Sequence, residues 1–144
     1  MIRTFVKAWD ANKEKLEKYF RETPQSEYST YRGLVRALFA EVINPYLESE
    51  ARDYIDLFNL QRILMIDDGE YQGTQIFFLH LNCYQPCIHD YVMTYVEYGS
   101  CSGCDTLLSI SNYDDGIPRE SQVARYMTLC LHLLQRCKFL EEVE

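Results

Sequence analysis

The sequence predicts an α+β domain, a small antiparallel sheet of three to four strands packed against two N-terminal helices and one C-terminal helix. Three observations carry that expectation. Apolar residues recur at three- and four-residue spacing at both ends of the chain. The middle changes to short β-branched and tyrosine-rich runs closed by turn residues such as Asp67-Asp68-Gly69. The links between those runs are short enough for a meander, so the order α-α-β-β-β-α places helices on one face of the sheet.

The elements follow in order. Phe5, Val6, Trp9, Leu16, Tyr19 and Phe20 form one helical stripe from Ile2, with a polar gap near Asn12 and Lys13. Thr23-Pro24 ends it, because the residue before proline avoids the helical region. A second helix starts with Ser29 or Thr30 as N-cap and runs along Leu34, Val35, Leu38, Phe39, Val42 and Ile43. Asn44-Pro45 should bend or end it. Residues 46–59 fit a short helix and a loop. Leu60 to Ile66 reads as a first strand. Thr74 to Leu81 reads as a second, and Ile76, Phe77, Phe78 and Leu79 put apolar groups on both of its faces, the pattern of a central buried strand. Tyr91 to Tyr98 is the third. Asp105 to Ile110 reads as a fourth strand or a helical turn capped by Asp105, with a strand or irregular segment preferred. The last helix begins near Pro118, and Val123, Tyr126, Met127, Cys130, Leu131, Leu134, Cys137 and Leu140 make its apolar face.

A chain of 144 residues with 47% hydrophobic and 25% charged residues is expected to form one globular domain, residues 1–144, not a disordered segment. No apolar run approaches the length of a membrane span, and the first residues lack the apolar core of a signal peptide, so a cytoplasmic protein is expected. The net charge of −8 is uneven. Residues 60–116 carry one basic and eight acidic groups, nearly all of the excess. That segment also holds four of the six cysteines. The acidic balance disfavours binding to a nucleic-acid backbone, where Lys and Arg must displace counterions.

The cysteines divide into two sets. Cys130 and Cys137 lie seven apart on the predicted last helix, about 10 Å at 1.5 Å per residue, too far to bridge. They read as small buried hydrophobes. Cys83, Cys87, Cys101 and Cys104 have the x3 and x2 spacings of a zinc ribbon. Antiparallel pairing of the second and third strands opposes that site, because it sends the two cysteine pairs to opposite ends, roughly 25 Å apart over eight residues. His80 and His89 are possible substitute ligands at the first end. Cys101-Ser102-Gly103-Cys104-Asp105 also has the spacing of a redox dithiol, but no βαβ unit precedes it and Asp105 would raise a thiol pKa. The plainest reading is a tight turn with positive φ at Gly103 and small buried thiols beneath it. Asp67-Asp68-Gly69 and Asp114-Asp115-Gly116 are turn sequences before they are cation sites, and no phosphate-binding or nucleophile-elbow motif is present. Many of the twelve tyrosines, Tyr71 and Tyr98 among them, fall in or beside the sheet, where they serve packing or a partner surface.

Three strings together resemble a family of small proteins encoded in phage and prophage genomes: Ile66-Asp67-Asp68-Gly69-Glu70-Tyr71-Gln72-Gly73-Thr74, Tyr98-Gly99-Ser100-Cys101-Ser102-Gly103-Cys104-Asp105-Thr106-Leu107, and Tyr126-Met127-Thr128-Leu129. The resemblance covers roughly residues 60–135 and implies a setting, a bacterial host cell, without a mechanism. It also implies that Cys101 and Cys104 stand apart from Cys83 and Cys87. The expected function is that of an accessory protein that binds a host or phage protein, with host takeover or evasion of defence as its role. The residues expected to carry it are Asp67, Asp68, Tyr71, Tyr98, Cys101, Ser102, Cys104 and Asp105. The alternatives are an enzyme or small-ligand protein built around Cys101 to Asp105, and a structural zinc domain using Cys83, Cys87, Cys101 and Cys104. No other cofactor is expected.

Overall fold

The computed structural model describes residues 2–26, 28–51, 56–101, 103, 105–111 and 115–142. Helix α1, Arg3–Glu22, buries Phe5, Ala8, Asn12, Leu16 and Phe20 on one stripe. The polar gap of the stripe is used, not empty. Asn12 is buried and its Nδ2 donates to Val42 O at 3.1 Å. Helix α2, Tyr31–Leu38, is capped by Thr30, whose Oγ1 accepts from Gly33 N at 3.0 Å. The helical run does not end at Asn44-Pro45. It passes through a π-helical turn, Phe39–Ile43, into α3, Asn44–Glu50, and Pro45 stands directly after that wider turn. Phe5, Phe39 and Phe58 meet edge to face beneath this run, with ring centroids 5.2–6.1 Å apart.

The sheet is the predicted antiparallel one, with spatial order β1-β2-β3-β4. Strand β1 is Leu64–Asp67, β2 is Gly73–His80 and β3 is Tyr91–Tyr98. The fourth strand is not the predicted one. Asp105 to Ile110 forms no strand; Asp105 caps a short helix, α4, Thr106–Ser111. Strand β4 is instead Lys138–Phe139, which pairs with Met93 and Val92. Helix α5, Glu120–Gln135, therefore stops before Cys137 and Leu140. Its buried face includes Leu129 and Leu133, which the predicted stripe lacked, and Leu131 is only half-buried.

The inner face of the sheet, carrying Phe77, Leu79, Val92, Thr94 and Val96, is buried against the helices. Thr94 Oγ1 donates to Leu133 O at 2.6 Å, tying β3 to α5. The outer face is also apolar. Ladder partners share a face, so Ile66, Ile76 and Tyr95 form one row and Leu64, Phe78 and Met93 another. Strand β2 is thus internal in the sheet but covered on one face only. Leu64 and Ile66 are each 55% exposed. No helix among the described residues is long and apolar enough to cross a membrane.

Candidate functional site

The antiparallel register brings two of the three motif strings together. Gly73 pairs with Tyr98, so the β1–β2 turn and the chain leaving β3 meet at one end of the sheet. The turn is locked from within. Asp67 Oδ1 accepts from Gly69 N at 3.0 Å, and Asp68 Oδ1 accepts from Thr74 N at 2.6 Å. Its two glycines are required by space rather than by dihedral. A Cβ on Gly69 would lie 1.9 Å from Gln72 O, and one on Gly73 2.4 Å from Asp68 Oδ1. The Tyr98 hydroxyl donates a short hydrogen bond to Asp67 Oδ1 and fastens the turn to β3. That bond first, then the Gly69 amide, holds the Asp67 carboxyl below its usual range, and the same bond pushes the Tyr98 pKa up to about 12. Asp68, Glu70 and Tyr71 are left facing solvent, and Tyr71 is 76% exposed.

Asp105 has a structural post. It is 5% exposed, and its carboxylate accepts from Gly99 N, Leu108 N and the Tyr31 hydroxyl at 2.9, 2.9 and 3.0 Å. The Tyr31 oxygen in turn accepts from Leu107 N at 3.1 Å. Burial, followed by the Asp105 charge, raises the Tyr31 pKa against the lowering effect of the Leu107 amide. The network joins α2, the end of β3 and α4, and sequence spacing gave no sign of Tyr31.

The turn reading at Cys101–Asp105 needs two corrections. Gly103 does not supply a positive φ; among the described glycines only Gly116 does, at φ 120°. Cys101 is exposed instead of packed under the turn. Ser102 and Cys104 lie outside the described residues, as does Asp114.

Cys83 and Cys87 follow β2 and so lie at the end of the sheet opposite Cys101. They gather their own surroundings. Asp90 Oδ2 accepts from Cys87 N at 2.8 Å and lies 3.7 Å from Cys83 Sγ. Desolvation, then Asp90, raises the Cys83 pKa. Ligand atoms of Cys87, His89 and Asp90 lie within 4.8 Å of one another, a thiol, an imidazole and a carboxylate, each a donor type that zinc accepts. His80 is not part of it; its Nδ1 lies 2.8 Å from Leu81 O. Cys130 and Cys137 are buried, and burial raises both thiol pKa values, Cys137 to about 12.

Two clefts flank the converged motifs. One of about 310 Å³ is lined by Tyr31, Arg32, Met65, Gln75, Tyr98 and Asp105. Arg32 Nε is buried there without a hydrogen-bond partner among the described residues. The other, about 500 Å³, lies between β3 and helices α4 and α5. Its arginines are already committed. Arg125 bonds Ser109 O and Oγ, and Arg136 bonds Tyr95 O and stacks over the Tyr95 ring. Comparison with family models, with curated proteins and with solved structures finds no match to this chain.

Proposed function

We propose that this chain is a binding module, a phage-encoded accessory protein that acts by occupying a protein partner with the acidic end of its sheet. The observation that carries the reading is the β1–β2 turn. Its backbone is fixed by Asp67, Asp68 and two space-restricted glycines, while Glu70 and Tyr71 project outward from it. A rigid loop that presents carboxylates beside an aromatic ring suits a basic partner surface at low ordering cost. The phage setting rests on the resemblance of the three strings. In a test, the protein is immobilised and exposed to lysate of phage-infected bacteria, beside a Glu70→Lys/Tyr71→Ala variant. A partner should be retained by the parent chain and lost at least about tenfold by the variant. Equal retention by both, or none by either, would falsify the reading.

A second reading, a small-ligand site, is favoured by the 310 Å³ cleft and the unpartnered Arg32 Nε. A ligand carrying a carboxylate or phosphate would pair with the Arg32 guanidinium lining that cleft. Small carboxylates and phosphates should then raise the Tm of the parent chain and not of Arg32→Met. The zinc reading moves to Cys87, His89 and Asp90, with Cys83 beside them. Stoichiometric zinc in the purified protein, lost in Cys87→Ser, would distinguish it from both.

A further inference from the structure

The outer face of the sheet reaches the molecule's edge at β1, a strand with apolar side chains that pairs with β2 on one side and has no ladder partner among the described residues on the other. Natural edge strands are usually protected by charge, proline or a covering element. Strand β1 has Leu64, Met65 and Ile66 in succession, 55%, 37% and 55% exposed. Its charges stand only at its two ends. Arg62, the one basic residue in residues 60–116, precedes it, and Asp67 and Asp68 close it. Arg62 is exposed and makes no ion pair among the described residues.

The backbone fixes which groups are free. Asp68 N donates to Thr74 O at 3.2 Å, so 68 and 74 form a hydrogen-bonded pair. Alternation along an antiparallel ladder makes 66 with 76 and 64 with 78 the next such pairs. The N–H and C=O groups of Ile63, Met65 and Asp67 therefore point away from the sheet. A second β1 can pair with them antiparallel about a two-fold axis at Met65. That register sets Ile63 against Asp67 of the other copy and Leu64 against its Ile66. It also sets Arg62 against its Asp68, on the same outer face as Leu64 and Ile66. The free backbone groups limit the pairing to alternate registers, and among these the apolar rows and the Arg62–Asp68 charges favour this one.

We propose that two copies of this chain associate through β1 in this register, joining their sheets into one and continuing the apolar rows across the two-fold axis. The proposal rests on the strand edge and not on the reading of Glu70 and Tyr71. It is isologous, so each copy contributes the same surface and the assembly closes as a dimer.

The test uses charge exchange, read by sedimentation velocity of the full chain from about 1 to 500 µM. The parent chain should sediment as a dimer with twice the chain mass. Arg62→Glu, a change at an exposed side chain, should weaken the dimer at least about tenfold by facing Asp68 with a like charge. Asp68→Lys, whose fold is verified by circular dichroism because the Asp68 carboxylate also accepts from Thr74 N, should do the same by facing Arg62. An equimolar mixture of the two variants should recover a dimer, because only the mixed pair has opposite charges at both contacts. That recovery also shows that both variants are folded. A parent chain that stays monomeric throughout, a dimer indifferent to Arg62→Glu, or a mixture that stays monomeric would each overturn the proposal.

Discussion

Asp105 receives three donors from three parts of the chain: the amide after β3, the first turn of α4 and the hydroxyl of Tyr31 in α2. Replacement by Ala removes a helix cap and leaves buried donors unpaired. Asp105→Ala should lower stability by about 2–4 kcal/mol, measured by urea unfolding. The bond between Tyr98 and Asp67 makes a different, pH-dependent prediction. The folded-state pKa of Asp67 is depressed, so its contribution is present above the ordinary carboxylate range and is lost as pH falls through the folded value. Tyr98 is the opposite case. Its pKa is raised to about 12, so its contribution is present below the ordinary tyrosine value and is lost as pH climbs through the folded one. In Tyr98→Phe the Asp67 carboxyl should titrate at higher pH, followed by carbon-13 NMR. An unmoved titration would show that Tyr98 is not its main partner. Asp67, Asp68 and Asp105 are legible in the sequence as turn and cap chemistry, and Tyr98 only as a residue of the sheet. Tyr31 is not, because it sits 74 residues before Asp105 and only packing of α2 beside α4 makes them neighbours.

At the scale of elements, the β1–β2 hairpin shows how closely backbone segments approach in a tight turn. Gly69→Ala drives a methyl into the Gln72 carbonyl and should cost about 1–3 kcal/mol. Gly103→Ala meets no atom within 4 Å and has no positive φ to strain, so its unfolding midpoint should stay close to that of the parent chain. Comparing the two by thermal unfolding separates a glycine demanded by space from one that is not. The missed elements have local causes. Asp105 is both a strand-flanking acid and a helix cap, and α4 is only six residues long, too short for periodicity to declare itself. Strand β4 is two residues long and owes its existence to the ladder offered by β3.

Across the whole molecule, the helices and the inner sheet face enclose one core, and the thiols report on it. Cys130 and Cys137 are buried with raised pKa values, whereas Cys87 and Cys101 are exposed. Alkylation of the native protein, followed by mass spectrometry, should label Cys87 and Cys101 first. Labelling of Cys130 and Cys137 should instead track global unfolding, with mild urea raising both rates together. Early labelling of Cys130 would mean that α5 opens without the rest of the fold, and early labelling of Cys137 that the link from α5 to β4 does.

The sequence by itself determined the α+β class, the main helices, the three-stranded meander and the acidic character of its centre. Those depend on periodicity, turn residues and charge, which are local properties of the chain. Tertiary structure decided what the motifs become. Register brought Asp67 to Tyr98 and parted Cys83 and Cys87 from Cys101. It also determined that the second apolar face of β2 is left open beside a bare β1 edge. A strand's own sequence states that both faces are apolar, but the placement of the helices decides which face they cover.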